Sequence, residues 1–391
     1  MKIAQVIPFY APAWGYGGPV KVCSELSTEL AKRGNQVTVL TTDAYDHLKR
    51  MDKVCEVIDG VKVLRFRNVS NKLAKNSNLY MPKGFRAYLK NNVKDFDIVH
   101  LHAFYTLQNI FAAKYCVKYS IPYVLHLHEK FDTTVEMGKS KIKKVFMSLY
   151  GKFIIYNAQK IFVLSANEES NLLSFDSSLK DKIEIIPNPA PPYQGKCSSN
   201  SILRKKYGLG ANSKVVLSLS RLSIIKGIDL LIRAFAIIAK EDPGFRLIIA
   251  GPDEGGQKSR LEKIIKDENV QNKVIFTGMA ADKIKEELFC IADVFALFSR
   301  YESFGIVVLE SLAHGLPVCL SKNVGVAKEI YDKGSATICD PCNTLESTLE
   351  LKKAFDSRGK LAKNCKEALK GFDLGSITDR VISTYNKIIS K

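Results

Sequence analysis

The chain has 391 residues, of which 46% are hydrophobic and 25% are charged. These values are typical of a globular protein with enough residues for two domains, and no uncharged apolar run approaches the roughly 20 residues of a membrane span. The nine cysteines are an odd number scattered along the chain, which argues against a disulfide framework. Because the first segment also lacks the features of an export signal, we expect a cytoplasmic protein with reduced thiols.

The formal net charge of +18 is the unusual feature of the composition. Residues 60–160 carry 18 Lys and Arg against 5 Asp and Glu, so 13 of the surplus charges lie in this region. A well-solvated surface would explain such a surplus. Attraction to an anionic surface or to an anionic acceptor would explain it equally well.

Strands and helices alternate through the first half of the sequence. Residues 2–8 are a predicted strand, the Gly-rich turn "WGYGGP" follows, and a helix from about Val20 to Arg33 precedes the strand "QVTVLTT". Further strands are predicted at residues 61–66, 97–102, 121–128, 160–164 and 183–186. This alternation favours a parallel sheet that helices cover on both faces.

The second half repeats the alternation after "IIPNPAPPYQGKCSSNS", whose Pro, Ser and Asn content is typical of a linker. Its predicted strands are "SKVVLSLSRL", "FRLIIAG", "KVIFTG" and "DVFALF". We therefore predict an α/β fold of two doubly wound, Rossmann-like domains that face each other across a ligand cleft. The predicted parts are residues 1–190, residues 191–370, and residues 371–391 as a C-terminal helix that could cross back to the first domain.

The segment "SRYESFGIVVLESLAHGLPV" contains a helix start that could bind an anion. The helix is predicted to begin near Phe304, with Ser303 as its N-cap and Gly315 at its end. A diphosphate would suit the free backbone N–H groups at such a start. These N–H groups belong to Gly305, Ile306 and Val307.

Charged side chains flank this helix start. Glu302 precedes it and Glu310 lies within it, and carboxylates at these positions could accept hydrogen bonds from sugar hydroxyls. Paired glutamates on a helix are more often surface charge, but the cations upstream in the sequence favour a ligand-binding site here. Upstream, "LSRLSIIKG" places Arg221 and Lys226 directly after a strand, so that two cations would project from one edge of the sheet.

These two motifs resemble those of the retaining glycosyltransferases of family four, which have the GT-B fold. The pattern Arg-Leu-x-x-x-Lys-Gly begins at Arg221, and Glu-x-Phe-Gly-x-x-x-x-Glu begins at Glu302. The resemblance extends over essentially the whole chain. It implies a retaining hexosyltransferase that moves a sugar from a nucleotide-diphosphate donor to an acceptor hydroxyl, in glycan, glycolipid or cell-surface polysaccharide synthesis. It also implies that no metal ion or other cofactor takes part.

The resemblance further implies roles for individual residues. Arg221 and Lys226 would neutralise the diphosphate, Glu310 would hold the ribose, and Glu302 would hold hydroxyls of the donor sugar. Because negative charge builds up on the leaving diphosphate, fixed cations and N–H dipoles stabilise the transition state most strongly. The other donor-binding residues that the resemblance implies are Gly17, Gly18, Phe304, Gly305, Ile306 and Val307.

His-Leu-His occurs twice, at residues 100–102 and 126–128. Since alternate residues of a strand point to one face, each pair could bind one cation, and zinc is the metal to consider. Neither carboxylates nor cysteines cluster nearby in the sequence, and the resemblance implies that Arg and Lys do the work of a metal. It also implies that His128 is the active-site histidine that contacts the donor sugar. We therefore expect no metal site, with structural roles for His100, His102 and His126.

Two positions depart from the family pattern. Many relatives have Pro-Asn-Gly between the domains, whereas this chain has Pro187, Asn188 and Pro189, which stiffens the start of the linker. The glycine that usually follows the active-site histidine is Glu129 here. The second change alters the loop on the acceptor side.

The stretch "KSKIKKVFMSLYGKFIIY" mixes lysines with large apolar side chains. Such a segment could lie at an anionic membrane surface, although its apolar residues could instead pack into the core. We expect peripheral contact with the inner face of the cell membrane, which suits a glycan or lipid-linked acceptor. The lysines concerned are Lys139, Lys141, Lys143, Lys144 and Lys152.

Three other functions are alternatives to this interpretation. A sugar-nucleotide 2-epimerase has similar paired domains, but that family lacks the Glu-x-Phe-Gly-x-x-x-x-Glu pattern. The basic pI of about 9.3 would suit a nucleic-acid-binding protein, but the sequence has no recognised nucleic-acid motif, and we expect no nucleic-acid partner. A dinucleotide-dependent dehydrogenase is disfavoured because "GYGGPV" is not a Gly-x-Gly-x-x-Gly motif.

Overall fold

The computed structural model describes residues 1–46, 48–71, 74, 80–128, 145–195, 201–280 and 282–390. The chain forms two compact units. The first consists of Met1–Pro189 together with Leu374–Lys391, and the second consists of Ala190–Asp373. Each unit has its own mainly parallel sheet that packs against helices, as the alternating sequence pattern predicts.

The sheet of the first unit has eight strands in the described part of the chain. Their bounds are β1 Lys2–Val6, β2 Gln36–Thr42, β3 Cys55–Ile58, β4 Val61–Phe66, β5 Ile98–His102, β6 Tyr123–His126, β7 Lys160–Val163 and β8 Ile183–Ile185. Their spatial order is β3-β4-β2-β1-β5-β6-β7-β8, and only the β3–β4 pair is antiparallel. In this register His102 lies directly beside His126.

In the described part of the first unit, five α-helices lie before the linker. Their bounds are α1 Gly18–Lys32, α2 Phe85–Asn92, α3 Leu107–Lys118, α4 Lys152–Asn157 and α5 Ala166–Phe175. Helix α1 begins at Gly18, two residues before the predicted start, because Gly17 has a φ of +87° and Pro19 fits the first helical turn. It ends at Lys32, shortly before Gly34 with a φ of +81°.

The described residues of the second unit form a six-stranded, fully parallel sheet. Its strands are β9 Lys214–Leu219, β10 Phe245–Ala250, β11 Val274–Gly278, β12 Val294–Leu297, β13 Val318–Ser321 and β14 Ala336–Cys339. Their spatial order is β11-β10-β9-β12-β13-β14. The chain therefore winds to one side of β9 first and to the other side afterwards, so the point where the winding reverses lies between β9 and β12.

The helices of the second unit are α6 Ser201–Lys206, α7 Ile228–Glu241, α8 Gln257–Asp267, α9 Asp282–Ile291, α10 Ile306–Ala313, α11 Ala327–Asp332, α12 Thr344–Asp356, α13 Arg358–Lys363 and α14 Cys365–Ala368. The apolar faces of α7 and α12 pack on the sheet. Helix α7 contributes Leu231, Ile232 and Phe235 to this core, and α12 contributes Leu351 and Phe355. Burial of these side chains is the main force that holds the unit together.

The C-terminal helix α15, Leu374–Ile389, belongs to the first unit. Its buried residues Ile377, Val381 and Tyr385 share one core with Leu26 and Leu30 of α1. The chain therefore leaves the second unit and returns to the first, where its last helix covers one face of the sheet.

Within the described ranges, we find no helix whose length and hydrophobicity would let it span a bilayer.

The state of one cysteine differs from the sequence-based expectation. Seven cysteines of the described residues are free thiols, but Cys290 is disulfide-bonded. The expectation that every cysteine is a reduced thiol is therefore wrong at Cys290.

Candidate active site

The loops after β9 and β12 lie side by side in the second unit because the two strands are neighbours. The backbone N–H of Arg300, in the loop after β12, donates to the carbonyl oxygen of Ile225, in the loop after β9, at 2.8 Å. Ligands of doubly wound sheets bind outside the carboxyl ends of the strands, where the winding reverses. The two sequence motifs therefore meet at the position where this architecture offers a binding site.

Lys226 and Glu302 contact each other at this position. Lys226 ends a short 3₁₀ turn, Ile224–Lys226, and its Nζ donates a hydrogen bond to Oε2 of Glu302. Both side chains are mostly buried, with 15% and 18% of their surface exposed. A cation and a carboxylate held together at a strand end can bind a phosphate and a sugar hydroxyl on adjacent parts of one ligand.

The surroundings of position 227, directly after Lys226, require a glycine. Its φ is +61°, in the left-handed region, and a Cβ there would collide with the backbone carbonyl of Phe298 at the end of β12. The absence of a side chain lets the two loops approach closely. This explains why a glycine follows the lysine in the first motif.

A buried carboxylate that the sequence interpretation missed connects the two loops. Asp229, in the first turn of α7, accepts hydrogen bonds from both Nη atoms of Arg300 at 2.8 Å, and from Nη2 of Arg260 at 3.0 Å. Arg300 also donates to the carbonyl oxygen of Ile224 at 2.7 Å. Burial alone would raise the pKa of Asp229, but its hydrogen bonds and charge interactions with the two arginines outweigh burial and lower that pKa. Asp229 and Arg300 thus fix the turn that carries Lys226.

Arg221 is in a different environment from Lys226. Its side chain is 59% exposed, and Nη1 donates to Oε1 of Glu254 at 2.6 Å. Glu254 follows β10, and the loops after β9 and β10 are joined where the N–H of Leu222 donates to the carbonyl oxygen of Pro252 at 2.9 Å. Arg221 therefore lies at the strand-end edge, as predicted, but its guanidinium is solvent-accessible and less constrained than the ammonium of Lys226.

The helix after the second motif starts later than predicted. Helix α10 begins at Ile306, and its N-cap is Gly305 with a φ of +98°. Ser303 is therefore not the N-cap. The reason is that residues 302–304 pair with the backbone of residues 325 and 326: the N–H of Gly325 donates to the carbonyl oxygen of Glu302 at 2.9 Å, and the N–H of Val326 donates to that of Phe304 at 3.1 Å.

The predicted anion-binding residues around this helix start have different exposures. Phe304 is buried, and its ring packs against Phe372 with 6.0 Å between ring centroids. Gly305, Ile306 and Val307 open the helix, where the backbone N–H groups have no acceptor within the helix. The side chain of Phe304 therefore contributes packing, while the next three residues offer N–H groups for an anion.

Glu310 lies deeper in α10 and has an ionic partner that the sequence interpretation missed. The residue is only 8% exposed, and Nζ of Lys285 in α9 donates to its Oε1 at 2.7 Å. The carboxylate predicted to hold a ribose is therefore already paired with a cation from a neighbouring helix. No local sequence signal links Lys285 to Glu310, because α9 and α10 are separated by β12 and the loop after it.

The second group of predicted residues lies in the first unit. Gly17 is the N-cap of α1 and Gly18 is its first residue, directly after the loop that follows β1. His128 comes two residues after the end of β6. Glu129 and four of the predicted membrane-facing lysines, Lys139, Lys141, Lys143 and Lys144, lie outside the described residues.

Four histidines form one stack at the ends of β5 and β6. The ring centroids of His100 and His102 are 4.1 Å apart, and those of His126 and His128 are 3.8 Å apart. Burial lowers the pKa of His128 to about 3, and it lowers the pKa values of the other three well below their ordinary range. All four rings are therefore neutral at physiological pH.

The arrangement of these rings does not favour a shared metal ion. Ligand nitrogens of His100, His102 and His126 lie within 4.8 Å of one another, which is close enough to consider a metal. An imidazole, however, binds a metal in its own plane, and the rings of His100 and His102 are stacked with only 21° between their planes. Both ring nitrogens of His102 also have hydrogen-bond partners, Gln5 and His128.

The two units have the architecture of GT-B glycosyltransferases: each contains a doubly wound parallel sheet, and the second carries a Lys–Glu pair beside a glycine-capped helix start. Two family models match the chain, "Glycosyltransferase Family 4" over residues 16–192 and "Glycosyl transferases group 1" over residues 199–371. The chain belongs to this family of glycosyltransferases, as the sequence motifs predict.

Known proteins resemble the chain over nearly its full length. An uncharacterized glycosyltransferase of Methanocaldococcus jannaschii, MJ1607, is 29% identical over 341 residues, which are 84% of this chain and 82% of the relative. Sucrose-phosphate synthase from Thermosynechococcus elongatus has a TM-score of 0.78 at 20% identity, over 100% of this chain and 99% of that chain. HepE from Anabaena, in complex with UDP and glucose, has a TM-score of 0.74 at 19% identity, over 99% and 100% of the two chains. These structures confirm the predicted GT-B fold.

Proposed function

We propose that the protein transfers a sugar from a nucleotide-diphosphate donor to an acceptor hydroxyl, with retention of the anomeric configuration. The observation that carries this proposal is the Lys226–Glu302 pair beside the N-terminus of α10. The lysine and the helix N–H groups bind the diphosphate, and Glu302 accepts hydrogen bonds from the sugar. The solved structure of HepE with UDP and glucose supports a nucleotide-diphosphate sugar as the donor class.

The chemistry follows from where charge develops. The bond between the anomeric carbon and the diphosphate oxygen breaks, and negative charge builds up on the leaving group. The acceptor oxygen attacks the face that the leaving group vacates, and its proton passes to the departing phosphate oxygen. Arg221, Lys226 and the helix N–H groups stabilise this charge, so the reaction needs no metal ion.

Thermal unfolding in the presence of different nucleotide sugars tests the donor class. A bound donor raises stability by RT ln(1 + [L]/Kd), which is about 2.7 kcal/mol at a ligand concentration of 100 Kd. We expect one nucleotide sugar to raise the midpoint of wild type but not that of Lys226→Ala. Lys258→Ala, which changes an exposed lysine of α8, serves as the matched control. If no nucleotide sugar stabilises the wild type, the proposal is wrong.

The stereochemistry is tested with the donor that this screen identifies. We expect NMR of the first product to show the same anomeric configuration as the donor. An inverted product would contradict the retaining mechanism while leaving the donor assignment intact.

Metal independence has its own test. We expect transfer to continue at a substantially unchanged rate in EDTA, and elemental analysis of the purified protein to find no stoichiometric zinc. One equivalent of zinc that is lost in the His100→Ala/His102→Ala double variant would instead establish a metal site in the histidine stack.

We further propose that the acceptor is a glycan or lipid-linked glycan and that the protein works at the inner face of the cell membrane, in glycolipid or cell-surface polysaccharide synthesis. Two apolar side chains support membrane contact: Val145 is 57% exposed and Leu149 is 62% exposed. They lie within the lysine-rich stretch of the sequence, and Lys114 lies over the ring of Tyr150 at 5.1 Å. Exposed apolar groups among cations suit the interface of an anionic membrane.

A further inference from the structure

His128 has an unusual backbone conformation. Its φ is +56°, in the left-handed region that side-chain-bearing residues seldom adopt. Such a conformation is strained and persists only where the surrounding structure enforces it. His128 lies two residues after the end of β6, and the residue between them, Leu127, is buried. The strained backbone therefore holds the imidazole at the carboxyl end of the sheet.

A chain of three hydrogen-bonded side chains leads from His128 into the core of the first unit. His128 Nε2 lies 2.8 Å from Nδ1 of His102, and His102 Nε2 lies 2.6 Å from Oε1 of Gln5. Gln5 and His102 are completely buried, on the adjacent strands β1 and β5. The ring of His126 stacks on His128 with 3.8 Å between centroids and restricts rotation of that ring.

The amide of Gln5 presents its oxygen to His102, and this orientation sets the direction of the hydrogen bonds along the chain. An amide oxygen only accepts, so Nε2 of His102 must carry the hydrogen that binds Gln5. Because burial keeps the ring of His102 neutral, its Nδ1 has a lone pair and accepts from Nε2 of His128. The ring of His128 is neutral as well, so its second nitrogen, Nδ1, carries no hydrogen.

We propose that Gln5 and His102 are positioning residues that hold His128 in the Nε2–H tautomer, so that its Nδ1 accepts a hydrogen bond from a hydroxyl of the transferred sugar. This inference rests on the proposed function for the identity of the hydroxyl, but the tautomer itself is independent of any ligand. His128 acts as a neutral acceptor that orients the sugar, and it does not donate a proton at physiological pH.

The tautomer is measured directly by NMR on the full-length protein with ¹⁵N-labelled histidine. The chain has only six histidines, and comparison with His128→Asn identifies the signals of His128. We expect an unprotonated Nδ1 and a protonated Nε2 on His128. A protonated Nδ1 on His128 would overturn the proposal, whatever the activity of the protein.

Substitution of Gln5 tests whether it sets the tautomer. Gln5→Met keeps a similar volume but removes the acceptor, so His102 is no longer held in one tautomer. We expect the Nδ1 and Nε2 signals of His128 to shift towards a mixture of tautomers. Unchanged signals in a folded Gln5→Met protein would overturn the role of Gln5.

Substitution of His102 separates positioning from packing. His102→Asn retains an oxygen near the position of Nδ1 that can accept from His128, whereas His102→Leu does not. We expect His102→Leu to weaken binding of the nucleotide sugar on the order of tenfold, as the loss of one hydrogen bond predicts, and His102→Asn to restore most of it. Binding of the nucleoside diphosphate without the sugar should be unchanged in both variants.

The outcomes distinguish this inference from the proposed function. If the wild type binds no nucleotide sugar, the proposed function fails, while the NMR result still decides the tautomer. The positioning role is wrong if His102→Leu weakens binding of the nucleoside diphosphate as much as binding of the nucleotide sugar. It is also wrong if His102→Asn does not restore binding of the nucleotide sugar.

Discussion

At the residue scale, the two motif cations differ in how firmly the fold holds them. Lys226 is mostly buried, contacts Glu302 and follows a turn that Arg300 and Asp229 fix. Arg221 is 59% exposed and pairs with Glu254 at the surface. Exposed ion pairs contribute about 0–1 kcal/mol, so a ligand can displace Glu254 from Arg221 at little cost. Lys226 is preorganised, whereas Arg221 is free to move towards an anion.

Replacement of either cation should reduce activity. We expect Lys226→Ala and Arg221→Ala each to lower kcat/KM on the order of 10² or more, because each removes positive charge that stabilises the leaving group in the transition state. Steady-state kinetics with the donor found by the thermal screen provide the measurement, and circular dichroism should report an intact fold. Near-normal activity of either variant with every donor would refute the diphosphate assignment of that residue.

At the element scale, the site of the second unit depends on how the loops after β9 and β12 are joined. The contacts of Asp229 with Arg300 and Arg260 connect the first turn of α7, the loop after β12 and the start of α8. At least one strand separates each of these elements from the others in the sequence. The position of Lys226 therefore depends on contacts among three elements and not on its own turn alone.

Removing the charge of Asp229 should destabilise the protein in a pH-dependent way. The pKa of Asp229 is lowered in the folded state, so its carboxylate contributes stability above its unfolded pKa of about 3.9, and this contribution is lost as the pH falls through the folded pKa. We expect Asp229→Asn to cost about 2 kcal/mol at pH 7, the size of hydrogen bonds to charged groups. The difference from wild type should shrink below about pH 4.

Urea unfolding of both proteins at several pH values provides this measurement. Asp332→Asn is the matched control, because Asp332 also pairs with a cation, Lys328, but is 56% exposed. We expect the control to change stability by less than about 0.5 kcal/mol at every pH. A stability difference for Asp229→Asn that is the same at pH 7 and pH 3 would contradict the role of its charge.

At the scale of the whole molecule, the charge is distributed unevenly. Residues 60–160, all of the first unit, carry 18 basic and 5 acidic residues, a surplus of 13 within the total net charge of +18. The first unit also exposes Val145 and Leu149, which belong to the lysine-rich stretch. Membrane contact is therefore expected through the first unit, which leaves the Lys226–Glu302 site of the second unit unaffected by changes to that surface.

Liposome sedimentation tests this contact. We expect binding to anionic but not to neutral vesicles, weakening steeply from low to physiological salt because screening shortens the range of the attraction. Lys141→Glu/Lys143→Glu/Lys144→Glu should abolish binding and leave donor-induced thermal stabilisation unchanged. The control has the same change of charge on exposed lysines of α8: Lys258→Glu, Lys263→Glu and Lys266→Glu. Equal binding to neutral vesicles, or equal loss in the control, would contradict the proposal and favour a soluble acceptor.

Features that depend on local spacing could be predicted from the sequence. Alternating apolar strands and amphipathic helices predict two doubly wound sheets, since each periodicity reports which face of an element is buried. The two motifs identify the family because the residues within each motif are close together in the chain. Lys226 and Gly227 belong to the first motif, and Glu302 and Gly305 belong to the second. Gly227 illustrates the reason: the left-handed conformation that it requires is a local property of the residue.

Which of these residues contact each other depends on the tertiary fold. Lys226 and Glu302 are 76 positions apart, and Gln5 and His102 are 97 apart, so their contacts depend on β9 lying beside β12 and on β1 lying beside β5. The N-cap of α10 was predicted wrongly at Ser303 because backbone hydrogen bonds with residues 323–326, some twenty positions later, hold that segment outside the helix. Strand order is set by the packing of the whole sheet, and no local spacing encodes it.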